Sequence, residues 1–273
     1  MAELSLIYLT YRPGGIDLLA QSLINQPLIY ELIVIDDFPG RPERGEAKKF
    51  LQSHGIPLRY YGPSKTKSLP DSPCGLANAM NTGAMHATSQ KVIFLHDFTV
   101  LPRNAIILWA RTFEENGTKA LISGVGEVKE APKPDYLGDI SIWRKLSLSD
   151  IPRESRSWIP EEQENFYQGV PISFMEEING IDERSDYKIS WPLKSVVIQA
   201  KLLGYRLVVD RRLEIDLIDH RGWGKGKDII WHAENMNPLI PYNEPGWSSR
   251  SKNLFNFTEQ RGLLLQIDSG KDI

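Results

Sequence analysis

The stretch that most constrains the fold runs from Lys91 to Leu101 and reads KVIFLHDFTVL. Its apolar and β-branched residues lead directly into a His-Asp pair, which is typical of a buried strand with polar side chains at its carboxyl end. Two similar stretches precede it, LSLIYLT at 4–10 and ELIVIDD at 31–37. Helix-length segments separate the three, so the pattern predicts parallel strands. Ligands of open α/β sheets bind beyond the carboxyl ends of the strands, and we expect one ligand crevice along that edge.

The first two strands also end in polar residues. The first runs into Thr10, Tyr11 and Arg12, and the second into Asp36 and Asp37. Two acids after a strand can simply form a solvated turn or cap a helix. Here they end a nearly all-apolar strand whose direction aims them at the predicted crevice, so both interpretations stay open.

Small residues dominate GLANAMNTGAMHAT, at 75–88, directly before the Lys91 strand. Such a composition predicts a helix that approaches a sheet or a ligand closely. Asn78 and Asn81 lie three residues apart and share one helix face. An asparagine inside a helix usually faces solvent, but this position beside the key strand favours ligand binding.

Composition excludes several classes of protein. The formal net charge of -3 and the pI near 6.0 give no general electrostatic reason to bind nucleic acid or an anionic membrane. Cys74 is the single cysteine, so no internal disulfide can form and a reducing compartment is favoured. No apolar run is long enough for a transmembrane segment, and the N-terminus shows no signal pattern. We therefore expect a soluble, cytoplasmic protein.

In this order, LSLIYLTYR, ELIVIDD, GLANAMNTGAMHAT and VIFLHDFTVL resemble the nucleotide-binding half of the family 2 glycosyltransferases, which have the GT-A fold. The resemblance implies an α/β fold with a Rossmann-like, mostly parallel central sheet flanked by helices, and an acceptor lobe. It also implies three parts: a nucleotide-sugar-binding half at 1–125, an acceptor-binding half at 126–225, and residues 226–273. We expect these last residues to pack across the body as an extension or to form a lid.

The resemblance implies a donor site at the strand ends. In the family, the end of the first strand and the acid after the second hold the base and ribose, which assigns nucleotide-sugar binding to Thr10, Tyr11, Arg12, Asp36 and Asp37. The family's Ala-Arg-Asn-x-Gly segment corresponds to residues 79–83, and it adds Asn81 with its neighbour Asn78. Met80 replaces the basic residue, so one expected contact is absent.

The family's acidic metal motif falls on His96-Asp97-Phe98. In the family, a divalent cation held by carboxylates bridges the diphosphate and stabilises the leaving nucleotide. Phe98 stands where an aspartate is common, so either His96 and Asp97 hold the ion in an altered geometry or the diphosphate is neutralised without metal. A histidine ligand favours Mn²⁺ over Mg²⁺. The alternative is that His96 only makes hydrogen bonds at the strand end.

The stretch DLIDHRGWGKGK, at 216–227, supplies further candidates. His220 resembles the residue that gives a late metal or phosphate contact in many GT-A enzymes. The glycines and Lys225 can wrap a diphosphate through backbone N–H groups and positive charge. A solvated basic loop is the alternative.

The sequence departs most from the family pattern at the position of the catalytic base. Asn179 to Glu183 is similar to the family's Gly-Gly-Phe-Asp-Glu turn, but the family's later acid falls on Trp191-Pro192-Leu193, where no acid stands. An inverting transfer needs a carboxylate within reach of the acceptor hydroxyl. The available acids are Glu176, Glu177, Asp182, Glu183 and Asp186. We expect the catalytic base to be Asp182 or Glu183; the alternative is that both only cap the turn.

The resemblance thus implies a hexosyltransferase-type enzyme of polysaccharide or glycoconjugate biosynthesis. It would move a sugar from a UDP- or GDP-linked donor to a carbohydrate or glycoconjugate acceptor, with inversion. Loss of the usual metal-site acid and base also fits a non-catalytic GT-A binding protein. A nucleotidyltransferase is disfavoured, because no glycine-rich basic loop follows the first strand.

Overall fold

A mostly parallel sheet with helices on both faces forms the centre of this computed structural model. The structure describes residues 3–10, 15–27, 29–36, 44–61, 75–97, 99–130, 155–159, 168–183, 186, 191–219, 251 and 253–269. The strands are β1 (Leu4–Thr10), β2 (Tyr30–Asp36), β3 (Leu58–Tyr61), β4 (Lys91–His96), β5 (Thr99–Val100), β6 (Ala120–Glu130), β7 (Ser155–Ile159), β8 (Gln168–Pro171) and β9 (Arg206–Asp219). The helices are α1 (Ile16–Leu23), α2 (Arg44–Ser53), α3 (Leu76–His86), α4 (Ala105–Asn116), α5 (Ile172–Glu177), α6 (Trp191–Leu202) and α7 (Phe257–Asp268).

The sheet runs in the order β3-β2-β1-β4-β8-β6-β9-β5, and β7 pairs with β6. Strands β3, β2, β1 and β4 are mutually parallel. Strand β8 lies antiparallel between β4 and β6, and β6 is parallel to β9. The predicted parallel sheet is therefore confirmed. The part predicted as an acceptor-binding half, residues 126–225, contributes β7, β8, β9 and the end of β6 to the same sheet.

Alternate side chains of each central strand enter two separate cores, as the pleat of a strand requires. On one face Leu6 and Tyr8 pack with α1, α2 and α4. On the other, Ile7 and Leu9 pack with α3, α5, α6 and α7. Because both faces are covered, the strands are apolar throughout, which explains their strength as a sequence signal.

Helix α3 lies unusually close to the sheet at Gly83. A Cβ built on this residue would lie 2.2 Å from Cγ2 of Ile7 and 3.4 Å from Cγ1 of Ile35. The close approach predicted from the small residues of this segment is thus present. Helix α3 therefore packs directly on β1 and β2 at this point.

The described part of the C-terminal stretch packs across the body. On α7, Phe257 is buried in the second core, and Arg261 donates to the carbonyl oxygen of Ala87 at 2.9 Å. At the end of α7, Asp268 accepts hydrogen bonds from Arg59 at 2.7 Å and from Tyr61 at 3.0 Å. The helix therefore joins β3 to α3. Among the described helices, none is long and apolar enough to cross a bilayer.

Candidate functional site

The polar ends of three neighbouring strands lie at one edge of the sheet. In the parallel register, Thr10 of β1 lies beside Asp36 of β2, and Leu9 lies beside His96 of β4. Asp97 follows His96 directly. The structure therefore brings Thr10, Asp36, His96 and Asp97 together at the carboxyl edge, where the sequence predicts a ligand crevice.

Asp36 has a protein partner on the adjacent strand. It is 2% exposed, and one of its carboxylate oxygens accepts a hydrogen bond from the hydroxyl group of Tyr60. Tyr60 lies beside Val34 in the register of β2 and β3. This contact orients the carboxylate at the strand end, and sequence reasoning missed Tyr60 because β3 is short and carries no polar motif.

The chain leaves β4 in a turn at Asp97. The hydroxyl group of Thr99 donates to the carbonyl oxygen of His96 at 2.7 Å, which closes the turn that contains Asp97. Thr99 then pairs with Leu217 of β9 in an antiparallel ladder. The carboxyl end of β9 is thereby held beside the His96-Asp97 segment.

The donor set for a metal is partial. His96 offers an imidazole and Asp97 a carboxylate, and in the part of the chain that the structure describes no group of three or more His, Cys, Asp or Glu side chains could hold an ion. The two are ligands of a suitable kind, but a cation here would need further oxygens, such as those of a bound diphosphate.

Five predicted site residues lie outside the described residues: Tyr11, Arg12, Asp37, His220 and Lys225.

Asn81 contacts a backbone turn rather than facing solvent. Both Asn78 and Asn81 are fully buried on α3. The Asn81 carboxamide accepts from the backbone N–H of Ile181 at 2.7 Å and donates to the carbonyl oxygen of Ile181 at 2.8 Å. Its Nδ2 also lies 3.1 Å from Oε1 of Glu183. The predicted nucleotide contact of Asn81 stays a prediction, whereas its hold on residues 179–183, here named the acid-bearing turn, is direct.

The acid-bearing turn depends on two left-handed residues at its start. Asn179 has φ 59° and Gly180 has φ 75°. Both predicted base candidates on this turn are buried: Asp182 is 5% exposed and Glu183 is 0% exposed. The turn therefore carries its two acids into the interior beside α3.

Asp186 caps α3 from a distant part of the chain. Its carboxylate accepts hydrogen bonds from the backbone N–H of Ala77 and, at 3.3 Å, from that of Asn78. The N-cap residue of α3 is Gly75, which has no side chain that could cap the helix. A carboxylate at this position binds orphan N–H groups and faces the positive end of the helix dipole. Asp186 thus has a structural partner that accounts for its burial.

The other two candidate acids also contact protein groups. Glu177 accepts a hydrogen bond from the Tyr205 hydroxyl at 2.9 Å. Burial, with a contribution from Glu177, raises the pKa of Tyr205 to about 12. Glu176 lies 3.8 Å from the guanidinium of Arg261. The first turn of α6, where the resemblance places an acid, carries none.

The described C-terminal residues 251 and 253–257, here named the C-terminal segment, bind the acid-bearing turn. Asn253 accepts from the backbone N–H of Glu183 at 3.1 Å and donates to the carbonyl oxygens of Asn179 and Ile181 at 2.9 and 3.0 Å. Sequence reasoning missed Asn253. An asparagine in an aperiodic stretch carries no local signal for a contact so far along the chain.

Comparison with known families and structures agrees with this architecture. The family model of glycosyl transferase family 2 matches residues 14–175, which is more than half of the chain. Comparison with curated protein sequences finds no match. A crystal structure of S. aureus TarS 1-349 in complex with UDP has a TM-score of 0.54 and 15% sequence identity, covering 80% of this chain and 61% of that one.

Two further TarS structures show the same likeness. TarS 1-349 and another crystal structure of TarS both have a TM-score of 0.54 and 15% identity over 80% of this chain, but only 60% and 37% of their own chains are covered. The chain therefore spans less than two thirds of these structures. At such low identity, the likeness shows the fold alone.

Proposed function

The chain belongs to glycosyl transferase family 2, and we propose that it transfers a sugar from a nucleoside-diphosphate sugar to an acceptor hydroxyl with inversion. The observation that carries this proposal is the register that aligns Thr10, Asp36 and His96 at one sheet edge. A site of this kind suits a ligand with a ribose to hydrogen-bond and a charged diphosphate to hold. The UDP complex of TarS supports UDP as the first nucleotide to test.

Donor binding is divided between two groups of residues. Thr10 and Asp36, with Tyr11, Arg12 and Asp37, are proposed to bind the base and ribose. The Tyr60 hydroxyl holds one oxygen of Asp36 and so restricts the direction of that carboxylate. Preorganisation of this kind lowers the ordering cost of binding.

The diphosphate is proposed to lie over the His96-Asp97 turn. His220 and Lys225 follow β9, whose carboxyl end is paired to the strand after Asp97. A divalent cation, when bound, would offset negative charge on the departing diphosphate. His96 and Asp97 are the described residues suited to hold it, and Mn²⁺ accepts this mixed nitrogen and oxygen set more readily than Mg²⁺.

In the transfer, the acceptor oxygen forms a bond to the anomeric carbon while the bond from that carbon to the diphosphate oxygen breaks. The acceptor proton passes to a carboxylate. Asp182 is proposed for this role rather than Glu183, because the Glu183 side chain is fully buried and its Oε1 contacts Asn81. Positioning and electrostatic stabilisation would supply most of the rate enhancement.

A second candidate is a binding protein that keeps the nucleotide site without catalysis. Two observations favour it: Phe98 stands at the third position of the metal motif, and the first turn of α6 has no acidic residue. This candidate predicts nucleotide binding without cleavage of any donor.

The deciding experiment measures calorimetric binding of UDP and GDP, each with and without Mn²⁺, followed by turnover of UDP- and GDP-hexoses. Hydrolysis of the donor by water serves as a readout that needs no acceptor. Binding with nucleotide release supports a transferase, binding without any release supports the second candidate, and absence of nucleotide binding contradicts both. Pyrophosphate release from a nucleoside triphosphate and a sugar phosphate would indicate a nucleotidyltransferase instead.

Asp97→Ala tests the central residue of this site. We expect turnover to fall by about 10²-fold or more, since a charge-stabilising group is lost, while the melting temperature stays close to that of the wild type. Glu115→Ala is the matched control, because this acid lies on the exposed surface of α4. Unchanged turnover in Asp97→Ala would remove the assignment.

A further inference from the structure

Two side-chain carboxamides bind the acid-bearing turn, one from a residue that precedes it in the sequence and one from a residue that follows it. Asn81 reaches Ile181 and Glu183 from α3. Asn253 reaches the same turn from the C-terminal segment and makes three hydrogen bonds, which span it from Asn179 to Glu183. The N–H group that Asn253 binds belongs to the peptide bond between Asp182 and Glu183, so this contact fixes the backbone at both acids.

Further bonds fix Asn253 itself. Ser251 donates its backbone N–H to the carbonyl oxygen of Ile178 and its hydroxyl to that of Asn179, both at 2.8 Å. Beyond Asn253, the side chain of Asn179 donates to the carbonyl oxygen of Phe255 at 3.0 Å and accepts from the N–H of Phe257 at 2.9 Å. The C-terminal segment is thus bonded to the turn on either side of Asn253.

The turn leaves space for both carboxamides. A Cβ at Gly180 would lie 2.9 Å from Oδ1 of Asn81 and 3.2 Å from Nδ2 of Asn253. Together with its positive φ of 75°, this requires glycine. The fit between glycine and two carboxamides indicates a built arrangement rather than a chance surface contact.

We propose that Asn253 is a positioning residue that holds Asp182 in the geometry needed to accept the proton of the acceptor hydroxyl. The inference rests on the proposed transferase function. Both the turn and Asn253 lie beyond residues 14–175, the region matched by the family, so family membership does not assign this role. Asn253 thereby contributes to the catalytic site from the C-terminal segment.

The physical reason is the sensitivity of proton transfer to placement. A displacement of about 1 Å in a catalytic group can cost on the order of 10²-fold in rate. Asp182 lies on a turn rather than on a helix or strand, and turns hold side chains less rigidly. Hydrogen bonds to three backbone groups of the turn restrict that motion.

The experiment compares Asn253→Ala with Leu254→Ala in the full chain. Leu254 is the matched control, since it is adjacent and 89% exposed. We expect Asn253→Ala to lower kcat by about tenfold or more and to leave the Kd of UDP, measured by calorimetry, within about twofold, because the contacts of Asn253 lie on the turn and not at the strand ends. Leu254→Ala should change neither.

Asn253→Asp separates positioning from a purely structural role. It keeps the acceptor for Glu183 N–H, loses both donated bonds and adds a negative charge near Asp182. That charge should raise the apparent pKa of the acidic limb of the pH–rate profile. A purely structural role would lower the melting temperature and leave kcat per folded molecule unchanged, which would overturn the proposal.

Amide hydrogen exchange distinguishes failure of this inference from failure of the proposed function. Asn253→Ala should accelerate exchange of the Glu183 amide by about tenfold or more, whereas Leu254→Ala should not. If the wild type cleaves no donor, the proposed function fails and the exchange result alone decides whether Asn253 fixes the turn. Unchanged exchange at Glu183, or unchanged kcat in an active protein, would overturn the inference.

Discussion

The carboxamide of Asn81 and the backbone of Ile181 form two hydrogen bonds, at 2.7 and 2.8 Å, across 100 residues of sequence. One asparagine on α3, a helix that packs directly on β1 and β2, therefore helps to fix the position of the acid-bearing turn. Because the Asn81 side chain both donates and accepts, it bonds to Ile181 as the N–H and C=O groups of a neighbouring backbone segment would. Helix α3 and the turn that carries the candidate base are thereby parts of one hydrogen-bonded unit.

Replacement of Asn81 by aspartate should destabilise the protein by about 3 kcal/mol at pH 7.5, because it buries a second charge beside the Glu183 carboxylate. The new carboxylate still accepts from Ile181, but it places negative charge against Glu183. Repulsion raises the pKa of one carboxyl in the folded state, so the deficit should shrink as the pH falls and that group binds a proton. Urea unfolding at pH 7.5 and 5.0 measures both effects.

Asn256→Asp is the matched control for that change. The Asn256 side chain only accepts a hydrogen bond, from the backbone N–H of Glu259 at the start of α7. Aspartate caps helices about as well as asparagine, so the control should lie within about 0.5 kcal/mol of the wild type. A pH-independent deficit in Asn81→Asp would contradict the proposed repulsion.

Gly83→Ala should be destabilising by about 1–3 kcal/mol, because the added Cβ would lie 2.2 Å from a methyl carbon of Ile7. In a helix alanine is normally more stable than glycine by about 1 kcal/mol. A loss of stability in Gly83→Ala would therefore indicate a steric clash with the sheet. Gly262→Ala, in the middle of α7 with no atom within 4 Å of its Cβ position, should instead be stabilising. Equal effects in denaturant unfolding would contradict the close approach of α3 to the sheet.

The parts of this fold that are evident from sequence are those that depend on local pattern. The strand expected at Leu4 to Thr10 and the observed β1 have the same bounds, and β2 begins and ends one residue earlier than expected. Burial on both faces requires continuous apolar runs, which a single sequence displays directly. The strand expected to end at the His-Asp pair is β4, which ends at His96; the chain then turns at Asp97 and resumes as β5 on a different partner.

The contacts that shape the candidate site have no such local signal. The sequence predicts a ligand contact for Asn81, which stays a prediction, and the structure shows its carboxamide bound to a turn 100 residues along the chain. Asp186 was one of several acids, and its capping of α3 spans 109 residues of sequence. Asn253 stands in a stretch without periodicity. Each of these contacts depends on which distant segments meet, and periodicity does not encode that information.

The histidine at the end of α3 should make stability depend on pH. Burial lowers the pKa of His86 from its ordinary value of 6.5, although the nearby Asp268 raises it; Arg59 and Glu31 add smaller opposing effects. Below that ordinary value the unfolded chain then binds more protons than the folded one, so stability should fall as the pH decreases from 7.5 to 5.5. His86→Gln should reduce this dependence in melting experiments. His54→Gln, at an exposed position, should leave it unchanged, and equal slopes in all three proteins would contradict the argument.

Asp182→Asn and Glu183→Gln separate the two candidates for the base. The amide of a glutamine at 183 can still present its oxygen to Nδ2 of Asn81, so Glu183→Gln should retain the contact and keep kcat within about threefold. Asp182→Asn loses the group proposed to accept the proton, so kcat should fall by about 10²–10⁴-fold and the acidic limb of the pH–rate profile should disappear. The Kd of UDP should be unchanged in both, since neither residue lies at the strand ends. The reverse pattern in kcat would make Glu183 the base, and full activity in both variants would mean that the base lies elsewhere.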